Sequence, residues 1–220
     1  MKIRFDDICE NSDVGKLLAM VEFALELGHE CLLGISPMIS GSEGEQPFPE
    51  IFKCYSDYRK FYEVDACTDD VFWSDELGSV YYNPKVTIAS HGLIHIDHQR
   101  LTYGAKEMSI LLSCKLLNAR VFIPPFNRWD KEMDLICQDN EIELIKWEDG
   151  WRSMEHEEPG ECTKTVYLHS RNMTITSFKN WLAKWEEWTN QCVLIDPNDS
   201  LIYEPMNIAR LGEYAKKGGW

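Results

Sequence analysis

VTIASHGLIHIDHQR, Val86 to Arg100, starts as an apolar β-type run and ends in three histidines, His91, His95 and His98. The whole chain has six histidines, so half of them fall in this one stretch. Val86 to Ala89 is predicted as a strand, which puts the cluster just past a strand's carboxyl end. His91 and His95 share a face whether the segment is helical or extended, because both periods bring i and i+4 round again. Two imidazoles and one carboxylate suit a zinc-like cation, and a catalytic set of that kind leaves positions open for water. His98 lies at i+7 and joins that face only in a continued helix. It is read as backing the other two or as a surface residue. Spacing alone does not separate a metal site from imidazoles that happen to be close, so the partners must come from elsewhere in the chain.

Working outward, strand-like and helix-like segments alternate. Lys2 to Phe5 is a short strand ending at Asp6-Asp7. Asn11-Ser12-Asp13 is an N-cap cluster, after which Val14, Leu17, Leu18, Val21 and Leu25 recur at helical spacing up to Gly28. Cys31 to Ile35 reads as a strand, Leu101 to Leu112 as a helix, and Val121-Phe122-Ile123 as a strand running into Pro124-Pro125. Trp129 to Asp139 is predicted helical and Ile142 to Trp147 extended. Thr165 to Leu168 is extended and ends at His169, and a helix over Ser177 to Trp188 leads to a strand over Cys192 to Ile195. The rhythm is βαβα, which implies a parallel sheet, either wound or closed as a β/α barrel, with helices outside it. Residues 37–84 break the rhythm as a long, aromatic-rich excursion between the second and third strands. The chain is read as a single domain, 1–220.

Asp6-Asp7, His91, Pro124-Pro125-Phe126-Asn127 and His169 each follow a predicted strand. Carboxyl ends of strands in such folds emerge on one face, where sites are built, so four distant segments are expected to converge there. Phe178, Trp181, Trp185 and Trp188 share a helix face; core packing is the preferred reading over a sugar-stacking platform. Tyr55 to Trp73, in the excursion, is the better candidate for touching a ligand.

Composition limits the partners. With 37 acidic against 22 basic residues, the formal net charge is −15. That balance argues against nucleic acid or an anionic membrane. No apolar stretch is long enough to span a bilayer, and Met1-Lys2-Ile3 leads straight into acidic residues, so the expected location is cytoplasmic. The eight cysteines stand singly with no CxxC, as reduced, buried, small apolar residues would.

These residues resemble the polysaccharide deacetylase superfamily (NodB-like, carbohydrate esterase family 4) over most of the chain. RFDDI, Arg4 to Ile8, looks like its first motif, TFDD. SHGLIH, Ser90 to His95, is similar to the second, in which a Ser or Thr follows the first of two histidines. FIPPF, Phe122 to Phe126, looks like the third, usually FRPPY, and VYLH, Val166 to His169, resembles the late strand bearing the catalytic acid. Trp147-Glu148-Asp149-Gly150-Trp151 echoes the fourth only faintly.

The resemblance implies a distorted (β/α) barrel of about seven strands and a metal-dependent deacetylase acting on a C–N bond. It implies Asp7, His91 and His95 as ligands of a divalent metal, zinc first, with cobalt, nickel, manganese and iron also compatible. Asp6 would be the general base and His169 the general acid. Pro125, Phe126 and Asn127 would line the substrate, with the Phe126 N–H steadying the oxyanion. The substrate would be an N-acetylated sugar or glycan precursor. Two departures stand out. Gly92 replaces the Ser or Thr between the histidines, and Ile123 stands where the family has the arginine that orients the catalytic aspartate. Arg171 is the expected substitute, gripping Asp6. Two alternatives stay open: a catalytically inactive carbohydrate-binding module on the same fold, and a deacylase of a non-sugar amide. The oligomeric state is not legible.

Overall fold

The structure is a computed structural model and describes residues 1–9, 12–37, 77–147, 150–159 and 163–193. Its strands are β1 (Lys2–Ile8), β2 (Glu30–Ile35), β3 (Val86–Ser90), β4 (Val121–Phe122), β5 (Glu143–Leu144), β6 (Arg152–Ser153) and β7 (Thr165–His169). The helices are α1 (Val14–Glu26), α2 (Tyr103–Leu116), α3 (Lys131–Asp139) and α4 (Ile175–Val193). The strands form one sheet in the order β5-β4-β3-β2-β1-β7-β6, and every pairing is parallel. β1, with Asp6 and Asp7, is thus central and flanked by β2 and β7.

Strand alternation sorts the side chains into two compartments. Ile3, Phe5, Cys31, Leu33, Ile35, Val166 and Leu168 point outward, under α1 and α4. Leu17, Met20, Val21 and Ala24 recur at helical spacing on the buried face of α1 and meet them. Asp13 starts that helix by accepting the Lys16 N–H at 3.0 Å. Phe178, Trp181 and Leu182 of α4 are buried in the same core, each worth about 1.5–3 kcal/mol in apolar burial. The Trp181 indole donates to the Glu157 carbonyl at 2.8 Å and that of Trp185 to Thr163 at 3.0 Å, so both polar tips are satisfied. Phe178, Trp181 and Trp185 of the stripe are core packing.

Leu32, Ala89, Val121, Ile123, Ile145 and Trp151, with Tyr167 beside them, form the second compartment on the concave face. Trp147, beyond β5 at one edge, meets Tyr167 of β7 near the other, with ring centroids 5.5 Å apart. The sheet therefore curls into a half-closed barrel, as expected. Arg4 and Asp6 project from β1 into this interior.

One expectation is revised, one element went unforeseen and one reading stays untested. Cys192 and Val193, read as the start of a strand, complete α4 instead, because no glycine or proline interrupts the chain between Ile175 and Val193. The short strand β6 was not legible; two residues carry too little alternation to register. The aromatic tract from Tyr55 to Trp73 lies outside the described residues, as do Glu148 and Asp149. Among the described cysteines, Cys31, Cys114 and Cys137 are buried and unbridged, in keeping with their reading as small apolar residues. No described helix is long and apolar enough to cross a membrane.

Candidate active site

The register of β1 against β2 slips between Phe5 and Ile8. Such a bulge bends a strand and re-aims a side chain. Asp7 takes up the extra residue at φ 59, in the left-handed region that non-glycine residues avoid. Adjacent residues of a regular strand point to opposite faces. The bulge brings both Asp6 and Asp7 to the same end of the sheet.

Asp7 is the hub. Its Oδ1 lies 3.0 Å from His91 Nε2 and 2.9 Å from His95 Nε2. One ligand atom from each of Asp7, His91 and His95 lies within 4.8 Å of the others. His91 Nδ1 is 2.8 Å from the Ile123 carbonyl, which only accepts, so Nδ1 carries the ring proton. His91 Nε2 then faces a carboxylate oxygen, which also only accepts. Two lone pairs do not face each other at 3.0 Å unless a proton or a cation sits between them. Two imidazole nitrogens and one carboxylate oxygen form a donor set that fits a divalent ion of the zinc type. Burial alone would raise the Asp7 pKa, but the hydrogen bonds and charges of His91 and His95 outweigh it and hold Asp7 far below the usual carboxylate range.

The second oxygen of Asp7 faces Arg171, whose Nη2 donates at 2.6 Å, and His169 Nε2 at 3.5 Å. Arg171 therefore holds Asp7 and not Asp6, the partner expected from the sequence. The arginine on Asp6 is Arg4. Its Nη2 donates to Asp6 Oδ2 at 2.8 Å and to Asn127 Oδ1 at 2.5 Å. Arg4 is fully buried, with its guanidinium 4.9 Å from the Trp151 ring and 5.0 Å from Tyr167. The aromatic faces replace part of the hydration it has lost. Asp6 Oδ1 is buried with no hydrogen-bond partner among the described residues. Gly34 leaves room for it, since a Cβ there would lie 3.2 Å from Asp6 Oδ1 and 3.1 Å from Ile123 Cδ1.

His169 pairs with Asp6 in register across β1 and β7, so the two lie side by side. Glu155 orients it. Oε1 of Glu155 accepts from both the His169 N–H, at 2.5 Å, and Nδ1, at 2.8 Å, while Asn172 Nδ2 donates to Oε2 at 3.2 Å. Nδ1 thus carries a proton and Nε2 is left toward Asp7. Burial works against a charged His169, but Glu155, Asp7 and Asp6 overcome it and raise the pKa. Burial would raise Glu155 too, yet the bonds from His169 bring it down to about 2.

Pro125, Phe126 and Asn127 form a tight turn beyond β4, with Phe126 at φ 59 and Asn127 at φ 55. Pro125 is buried, and Phe126 is exposed with its ring 4.5 Å from that of His95. Asn127 faces inward to Arg4.

No family profile and no curated protein matches this sequence. Solved structures do match the fold. A family 4 carbohydrate esterase from Streptomyces lividans, in complex with acetate, superposes with a TM-score of 0.51 at 9% identity, covering 87% of this chain and 88% of that one. A peptidoglycan N-acetylglucosamine deacetylase gives 0.52 at 10% identity, covering 84% and 81%. A family 4 pseudoenzyme from Bacillus anthracis gives 0.52 at 12% identity, covering 85% of this chain and 60% of its own length. The fold is that of the family 4 carbohydrate esterases.

Within this esterase fold, the sequence reading missed Arg4 and Glu155. Arg4 had a signal: it lies at i+2 from Asp6 on one strand, and a period of two puts both on one face. Glu155 had none, because the two-residue strand before it was not legible and the run Glu155 to Glu158 looks like a solvated charge patch. His98, left as a bystander, is fully buried beneath the histidine loop.

Proposed function

We propose that the protein is a metal-dependent deacetylase that hydrolyses the N-acetyl group, or a similar acyl group, of a sugar or glycan precursor. What carries the reading is the convergence of Asp7, His91 and His95 beside Asp6 and His169, a cation site next to a base and an acid on paired strands. Asp7, His91 and His95 would hold the ion, zinc being the first choice for two imidazoles and a carboxylate. Bound there, such an ion lowers the pKa of water to about 7 and polarises the acyl oxygen.

The remaining steps belong to the protein. Asp6 Oδ1 takes the proton of the attacking water, while Arg4 fixes the carboxylate through Oδ2. The Phe126 N–H, on its strained turn, steadies the oxyanion. His169 Nε2 gives its proton to the amine nitrogen as the C–N bond breaks. Glu155 extends the pH range over which that proton is present. The roles are divided between the two strands, Asp6 as the base and His169, its pKa raised by Glu155, Asp7 and Asp6, as the acid. Exposed Phe126, packed on His95, offers an apolar face to a sugar ring. That the Streptomyces esterase is seen with acetate and another neighbour deacetylates peptidoglycan supports the choice of acyl group and substrate class.

A second reading, an inactive glycan-binding module, is favoured by Ile123 in the arginine's place and by the pseudoenzyme among the neighbours. Arg4 weighs against it by supplying a guanidinium to Asp6 from another strand. Acetate release from N-acetylglucosamine oligomers by zinc-loaded protein separates the two. The deacetylase releases acetate, and Asp6→Asn lowers the rate at least 100-fold with metal retained. Glycan binding with no acetate from the parent would favour the module.

A further inference from the structure

The loop carrying His91 and His95 is laid over α2, and the contact between them is a seam of buried hydroxyls. Ser109 and Ser113, one turn apart on α2, are both fully buried. The Leu93 N–H donates to Ser109 Oγ at 3.1 Å and His98 Nε2 lies 2.9 Å from the same oxygen. His98 Nδ1 lies 2.9 Å from the Ile96 carbonyl. A carbonyl only accepts, so Nδ1 carries the His98 proton and Nε2 must accept from Ser109. The Ser113 hydroxyl bonds to the Ser109 carbonyl at 2.5 Å, so Ser90 donates to Ser113 Oγ, also at 2.5 Å, and accepts from the Gly92 N–H at 3.2 Å. Each hydroxyl in the seam both donates and accepts, that of Ser113 also lying 3.1 Å from the Ile110 carbonyl.

Gly92 belongs to the same device. It sits at φ 81, and a Cβ there would come within 2.6 Å of His98 Cε1 and 3.0 Å of the Ile94 carbonyl. The His98 ring fills the space that a side chain at 92 would need.

We propose that His98 and Ser109 form a latch that pre-sets His91 and His95 for the metal, making His98 a positioning residue rather than a ligand. Outer partners of this kind typically change metal affinity by about 10–100-fold. The latch stands on the hydrogen-bond order of the loop, and its link to affinity rests on the metal reading above.

The test uses the full chain with His98→Phe, which keeps ring volume and removes both bonds, His98→Gln, which restores an acceptor toward Ser109, and Ser109→Ala. His29→Phe, a second buried histidine edge-on to Trp185, is the control for simple loss of core packing. Zinc affinity is read by chelator competition, and amide exchange at Leu93 is read in metal-free protein. His98→Phe and Ser109→Ala are expected to weaken zinc about 10–100-fold and to expose the Leu93 amide, His98→Gln to recover most of the affinity, and His29→Phe to lower stability with affinity unchanged. Parental affinity in both His98→Phe and Ser109→Ala would overturn the latch. If His98→Phe fails to fold, Ser109→Ala decides alone. Should the parent bind no divalent ion, the metal reading falls by itself, and unchanged Leu93 exchange in the variants would then overturn the latch too.

Discussion

Single residues decide what this site does, and Arg4 is the clearest case. It and Asp6 are a buried pair, so deleting one leaves the other's charge uncompensated, a loss of about 3–5 kcal/mol. Arg4→Met is expected to lose that much stability in urea titrations and to cripple turnover. Adding Ile123→Arg should return turnover, because Ile123 Cδ1 and Asp6 Oδ1 both crowd the point above Gly34. No recovery would show that an arginine at 123 cannot serve Asp6 here. Glu155 makes a pH prediction. Its folded pKa of about 2 lies below the ordinary 4.5, so its contribution is complete above 4.5 and disappears as the pH falls toward 2. The stability difference between the metal-free parent and Glu155→Gln should be on the order of 1–2 kcal/mol at pH 5–6, solvent screening reducing the full effect, and should shrink toward zero as the pH falls to 2. A constant difference across that range would refute the pairing with His169. Asp7, His91, His95, Asp6 and His169 could be picked out from strand-end position and resemblance. Arg171 was picked for the wrong aspartate, since no pattern in the sequence tells how a bulge will turn Asp7 toward one guanidinium and Asp6 toward another.

At the scale of elements, the bulge in β1 and the turn at Pro125 to Asn127 do the arranging. Both depend on non-glycine residues at positive φ, a strain that local composition does not announce and that tertiary packing sustains. The long strands and the amphipathic helices were legible because their periods run for several residues. β6 was not, and with it went Glu155. The stripe on α4 was ambiguous between core and sugar platform until its neighbours were known. Trp181→Ala is expected to cost about 3–5 kcal/mol in chemical denaturation and to leave zinc affinity and glycan binding unaltered in protein that remains folded. Loss of glycan binding at unchanged stability would reverse that assignment.

For the whole molecule, the curled sheet is what allows distant segments to meet. The order β3-β2-β1-β7 puts the histidine loop, the aspartate pair and His169 on consecutive stretches of one rim, with Glu155 arriving from β6. The interior holds a buried guanidinium and carboxylate among aromatic rings, and the exterior core under α1 and α4 supplies the apolar burial that offsets it. A chain with 15 more acidic than basic charges collects its site cations, Arg4 and Arg171, around the two aspartates. Everything proposed for function turns on whether those groups close around one cation. Metal analysis of the purified protein beside Asp7→Ala and His95→Ala tests this directly. The account predicts close to one tightly held divalent ion per chain in the parent and its loss in both variants; equal metal content in all three proteins would contradict it.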